Sequence, residues 1–380
     1  MELPAQGKPF RPWHLPRKHY VRIHQWCAEI KDLTRHLKAA GALNFRPLAY
    51  LSLPGDELLD IRTIHGVCDS QGVRLSYLGF NTTGDGARAD ESRISENEVK
   101  ALPRVYAQGS MVLNDALENV ANEKSLARRR VLENGSFDVI NLDLCGSVAN
   151  QPPLTVGSTL EAVRALLEIQ RSRRVEPWLL FLTTRVDTEV LDREVRARLR
   201  ALTKKNAHSS ADFKVALQAC LEMEVDRMLE LRDEELSQSV FAKLFGVGFG
   251  KWLLGLVLHS SPKWRIFVTS AFGYRVDRAP LDMLSLGFRF ELIREPASDP
   301  AGLTLGAGSS VVLDSEESLA AGMAVAMGGV VDVDEVLYSD GRAREKIMNQ
   351  FARLLGQARY GVDAYVAWVD GEHRDRGLIP

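Results

Sequence analysis

SFDVINLDLCGS, residues 136–147, is the stretch that decides the fold. Phe137, Val139, Ile140 and Leu142 form a near-continuous apolar run that gives way to Asp143 and Gly146. Such a run is a strand covered on both faces, with polar residues at its carboxyl end. Toward the amino terminus, RPLAYLSL (Arg46–Leu53) reads as a second buried strand. Pro54-Gly55 then turns the chain, and Asp56 can cap a helix over roughly Glu57–Val67. Gly72 opens another strand, VRLSYLGF (Val73–Phe80), followed by a polar loop over Asn81–Asp90. A helix is expected through Asn97–Tyr106, and SMVLND (Ser110–Asp115) reads either as a short strand or as continued helix. Toward the carboxyl terminus come a polar loop through Pro152-Pro153, a helix over Thr159–Ile169 and the strand PWLLFLTTR (Pro177–Arg185). Apolar strands alternating with helices predict an α/β protein whose parallel sheet is covered on both sides.

Beyond that core the pattern changes. Residues 188–258 read as helix only, with Leu217, Leu221, Val225 and Met228 on one stripe. After Pro262, WRIFVTSAF (Trp264–Phe272) and MLSLGFRFELI (Met283–Ile293) are expected to form an antiparallel pair at the sheet edge. Glu295–Ser310 reads as a linker, and Ile347, Phe351, Leu354 and Leu355 mark a helical tail. The chain therefore divides into a basic arm and helix (1–40), a core (41–187), a helical insertion (188–260), two final strands (261–296) and a helical segment (297–380). Prolines 4, 9, 12 and 16 predict an extended start to the arm. Ile23, Trp26, Cys27, Ile30, Leu33 and Leu37 predict an amphipathic helix from about Tyr20 to Gly41.

The 380 residues carry a net charge of −2, with 45% hydrophobic and 26% charged residues. That composition excludes wholesale disorder and a fibrous class. FAKLFGVGFGKWLLGLVLH (Phe241–His259) contains Lys243, Lys251 and several glycines, so no membrane span is expected. The first twenty residues lack the apolar run of a secretion signal, and a cytoplasmic location is expected. The four cysteines and eight histidines show no spacing that calls for a metal. GVGFGKW (Gly246–Trp252) is not a phosphate loop, because Phe245 and Trp252 stand where glycine and serine or threonine are needed.

In an open α/β sheet, ligands bind beyond the carboxyl ends of the strands. Those ends offer Ser52, Gly55 and Asp56, then Asn81, then Asp115, and finally Asp143. A glycine lets backbone approach a ligand closely, and Asn81 can bond a ribose. Cys145 follows Asp143 and reads as a small strand-end hydrophobe. In the amino-terminal arm, Arg17, Lys18 and Arg22 interleave with Trp13, Tyr20 and Trp26. Cations alternating with aromatics are a nucleic-acid-binding pattern; the other reading is the wet face of a docking helix with Trp26 in its core.

FDVINLDLCGS resembles motif IV of class I S-adenosylmethionine-dependent methyltransferases, and is most similar to the FDVIDLDPxGSP segment of the tRNA guanine N2-methyltransferase group. LSLPGDELLDIR resembles that group's LSATGxRxxR segment through Leu51, Ser52, Gly55 and Arg62. VLND (Val112–Asp115) and WLLFLTT (Trp178–Thr184) are similar to its later strands. The resemblance implies a Rossmann-like methyltransferase sheet with S-adenosylmethionine as cofactor. Gly55 would then face its methionine part, Asn81 or Asp115 its ribose and adenine, and Asp143 the target amine, with Ser52 and Asp56 counted among the cofactor-binding residues. Leu144 and Cys145 stand where the family carries proline and an aromatic residue, and the ribose-binding acid is missing. The expectation is a methyltransferase acting on nucleic acid. The alternative is a methyltransferase-like binding or scaffold subunit of a bacterial multi-protein system such as phage defence, with other protein subunits as partners.

Overall fold

The computed structural model describes residues 8–82, 86–277, 280–294 and 314–375. At its centre lies an eight-stranded sheet in the order β3-β2-β1-β4-β5-β7-β6-β8. The strands are β1 (Leu48–Ser52), β2 (Leu75–Phe80), β3 (Met111–Leu113), β4 (Val139–Asp143), β5 (Trp178–Arg185), β6 (Trp264–Tyr274), β7 (Met283–Leu292) and β8 (Val331–Asp332). β1 to β5 pair in parallel, and β7 runs antiparallel to both β5 and β6. The fold is α/β and Rossmann-like with added helical segments.

Alternation along the strands sends side chains to two separate cores. Leu51, Ile140, Leu142, Leu180 and Leu182 face one, with the helices Thr159–Arg173 and Gln238–Leu258. Tyr50, Val139, Leu179 and Phe181 face the other, with Trp26, Ile30, Leu33 and Leu37 of the amino-terminal helix. Asn141 and Asp143 share the parity of Val139, so the acid at the end of β4 points toward that helix.

Three expectations need correction. The pair β6–β7 is not at the edge: β7 is buried along most of its length between β5 and β6, and β8 pairs outside β6 at Phe272 and Gly273. The helix expected over Asn97–Tyr106 spans Ala87–Lys100. It buries only Ser92, Ser95 and Val99, so its sequence carries almost no apolar period to read. The amino-terminal segment is extended only briefly. A helix starts at Pro16, passes through a π-helical turn at Arg22–Cys27 and ends at Ala39. The linker expected over Glu295–Ser310, Pro4 of the arm and residues 83–85 of the polar loop lie outside the described residues.

Gln238–Leu258 is long and apolar enough to cross a membrane, yet most of it is buried in the protein. Its glycines serve close helix packing. A Cβ at Gly246 would meet Met327 Cε at 2.5 Å, and one at Gly248 would meet the Leu199 backbone oxygen at 3.2 Å. The GVGFG run is thus a contact surface for the helices Glu316–Gly328 and Arg193–Ser209.

Candidate functional site

β1 and β4 are neighbours with Ser52 opposite Asn141, so the segments leaving them open side by side. Together with the ends of β2 and β3 they frame a cleft of about 370 Å³. That is within the range of small-molecule sites. The segment after β1 turns sharply, with Leu58 N–H donating to Gly55 O at 3.0 Å. Leu58 itself is buried in the left-handed region (φ 54°, ψ 38°), a conformation that costs a non-glycine residue about 1 kcal/mol or more. This turn presents Gly55 to the cleft and starts the helix Leu59–Ser70 at its wall. A Cβ at Gly55 would meet only Glu57 Oε2, at 3.6 Å, so the space over Gly55 belongs to the cleft.

Five of the six residues read from the strand ends meet here: Gly55, Asp56, Asn81, Asp115 and Asp143 all line the cleft. Asp56 is held by Arg88 Nε at 2.9 Å and by Asn81 Nδ2 at 3.0 Å. One Asp115 oxygen accepts from Ala116 N–H at 2.8 Å and from Asn119 Nδ2 at 2.6 Å, which caps the following turn. Ser52 is the exception. It is fully buried and absent from the cleft lining, and its hydroxyl makes no hydrogen bond among the described residues.

The arm cations differ most from expectation. Arg17, Lys18 and Arg22 were expected on an open basic surface, but all three point inward under the helix they begin. Arg17 is buried with its Nε 3.6 Å from Asp334 Oδ1, away from the cleft. Lys18 and Arg22 line the cleft, and Lys18 Nζ donates to Asp143. The Lys18 ammonium also lies 3.4 Å from the Tyr274 hydroxyl and 5.9 Å from the Trp26 ring centroid. Burial opposes its charge, but the Asp143 carboxylate and Tyr274 outweigh burial and raise its pKa. The arm's sequence cannot separate these inward cations from solvated ones, because a buried Lys or Arg is the rarer case.

A second polar layer lies under the floor. Asn141 Nδ2 donates to Tyr50 Oη at 2.9 Å, and Tyr50 O–H donates to Asp60 Oδ2 at 3.1 Å. Burial raises the Asp60 pKa, against the pull of the Arg22 charge. The signal for this layer was present as single polar residues inside apolar runs: Tyr50 in LAYLS, Asp60 in LLDIR and Asn141 in VINLD. Trp13 was also missed as a site residue. It lines the cleft mouth and is 48% exposed, so a ring face is available there. Cys145 sits at the same rim, where desolvation and the Asp143 charge raise its thiol pKa, the opposite of an activated thiolate. Among the described residues no group of three His, Cys, Asp or Glu side chains is placed to hold a metal ion.

No curated protein matches the chain. One family model matches residues 7–370. The chain therefore belongs to the PP_RS20740-like family.

Proposed function

We propose that the cleft binds S-adenosylmethionine and that the chain is a methyltransferase for a planar, amine-bearing acceptor, with nucleic acid as the acceptor class. The observation that carries this reading is the convergence of four strand ends on one nucleoside-sized hollow, with Gly55, Asp56, Asn81, Asp115 and Asp143 all on its wall. The open space above Gly55 and the mixed carboxylate and amide lining suit a nucleoside carrying an amino-acid tail. The antiparallel β7 inside an otherwise parallel run is the feature expected of a methyltransferase-like sheet.

The cofactor supplies an electrophilic methyl group on a sulfonium. Asp143 accepts an N–H of the incoming amine, which holds the nitrogen in line and favours its lone pair. In the structure the Lys18 ammonium occupies that seat, so a substrate amine exchanges with Lys18. Trp13 gives the acceptor a ring to stack on, which Leu144 and Cys145 cannot supply.

The same Lys18–Asp143 pair, with Leu144 and Cys145 after it, favours a second reading: a binding or scaffold subunit that holds the cofactor without turnover. Calorimetry with S-adenosylmethionine tests the first premise, with saturable one-site binding expected and no detectable heat at high protein concentration removing both readings. Transfer of labelled methyl to nucleic acid then separates them. Asp143→Ala should abolish transfer while leaving cofactor affinity within about threefold. Binding without transfer in the unmodified protein selects the scaffold reading.

A further inference from the structure

Where it lines the cleft, the amino-terminal helix carries a cation, Arg22, with two nitrogens that find nothing to bond. Arg22 is 5% exposed and lines the cleft, and its Nε and Nη1 have no hydrogen-bond partner among the described residues. Its guanidinium lies 5.4 Å from the Phe351 ring centroid and 6.0 Å from that of Trp26. The rings hold the guanidinium in place without accepting its N–H groups. Of the other inward cations, Arg17 also makes no hydrogen bond among the described residues through Nε, Nη1 or Nη2, but it lies away from the cleft with its Nε 3.6 Å from Asp334 Oδ1. Lys18, one turn earlier, donates to Asp143, and Arg174 at the far end of the sheet donates to Asp138 at 2.7 Å. Asp60 accepts from Tyr50 through Oδ2, its Oδ1 makes no hydrogen bond to Arg22 or to any other described residue, and burial raises its pKa toward the neutral form against the opposing Arg22 charge. A buried guanidinium with unmade hydrogen bonds keeps the desolvation cost of its charge without the bonds that would offset it. Placed at a cleft, it is matched by a ligand that brings the missing acceptor.

We infer that Arg22 is the anion receptor of this cleft, taking an oxyanion of a nucleoside-based ligand through its free N–H groups. The oxyanion is either the carboxylate of an amino-acid-bearing nucleoside or the phosphate of a nucleotide. The inference rests on the reading that the cleft takes a nucleoside, and it adds the residue that selects for negative charge.

Calorimetry at fixed ionic strength on the full chain, with two matched pairs of probes, tests it. One pair is S-adenosylhomocysteine against methylthioadenosine, which lacks the amino-acid tail. The other is adenosine monophosphate against adenosine. The unmodified protein should prefer the charged member of one pair by about tenfold or more. Arg22→Gln should cut that preference to about threefold or less while leaving the neutral member's affinity nearly unchanged. The pair that responds identifies the source of the oxyanion. Should Arg22→Gln fail to fold, Arg22→Lys carries the test, with a partial loss of preference expected because the charge remains and the fork is gone.

Equal affinities within both pairs, or an equal loss for charged and neutral members, overturns the assignment. Tight adenosine monophosphate with no S-adenosylhomocysteine keeps Arg22 as receptor and removes the methyltransferase reading. S-adenosylhomocysteine and methylthioadenosine bound equally, with no effect of Arg22→Gln, does the reverse. Binding of none of the four overturns both.

Discussion

The two ends of β4 each place an aspartate out of open solvent, and they use it in opposite ways. Asp138, just before the strand, is fully buried and saturated. It accepts from Arg46 Nη1 at 2.6 Å, Arg46 Nη2 at 2.9 Å, Arg174 Nη2 at 2.7 Å and Ala49 N–H at 2.7 Å. Desolvation opposes its charge, but Arg174, Arg46 and Ala49 N–H together lower its pKa. Asp143, at the other end, faces a cleft with a single ammonium as its ionic partner among the described residues. A carboxylate with its lone pairs filled by the backbone and two guanidinium groups is architecture. One held by a single exchangeable cation at a cavity wall is available for chemistry.

The largest test of that contrast is Asp138→Asn. It leaves Arg174 buried without its counter-charge and should cost about 3–5 kcal/mol in urea denaturation. A loss of under about 1 kcal/mol would show that the lower end is not the fastener described here.

Acid separates the two ends next. A carboxylate whose pKa is lowered on folding stabilises the fold above its unfolded pKa and loses that effect as pH falls through the folded value. The Asp138 knot therefore holds until below about pH 4. At the cleft end, His14 and His19 are buried and neutral. Desolvation first, and the Arg22 charge second, bring each down to about 3. The unfolded chain takes up these protons first, so stability should fall below about pH 6.5, by about 1.4 kcal/mol per pH unit for each ring. His19 stacks on Phe351 with centroids 4.8 Å apart, so His19→Phe should keep the packing and roughly halve the slope measured between pH 6 and pH 4. An unchanged slope would place the proton uptake elsewhere.

Gly55→Val sharpens the functional side. The added side chain grows into the cleft, so S-adenosylmethionine affinity should drop about tenfold or more with the melting temperature nearly unchanged. Equal affinity would move the ligand away from the turn after β1. The smallest effect is expected for Asp143→Asn, about 1 kcal/mol of stability, because the Lys18 ammonium can reach water through the cleft. A loss as large as that of Asp138→Asn would abolish the distinction between the two ends.

The sheet was largely legible because β1, β2, β4 and β5 are apolar on both faces, which no amphipathic helix matches. The strand-end residues followed from the same reading, since polar side chains appear where each apolar run stops. β8 was not legible: two residues pair with β6 by position alone, and they carry no periodicity. The roof of the cleft was missed for a different reason. Lys18 and Arg22 are turned inward by contacts with Asp143, Trp26 and Phe351, residues far apart along the chain. In sequence they stand among cations and aromatics that equally describe an open arm.

The π-helical turn at Arg22–Cys27 accommodates one residue more than a regular α-helical turn. Deleting one residue there would regularise the helix and swing everything upstream by about 100°, with Ile30, Leu33 and Leu37 still seated on the sheet. Lys18 would leave Asp143 and Trp13 would leave the rim, so the roof would misalign while its anchor stayed put. The spare residue sets the phase between the half of the helix that grips the sheet and the half that reaches the ligand.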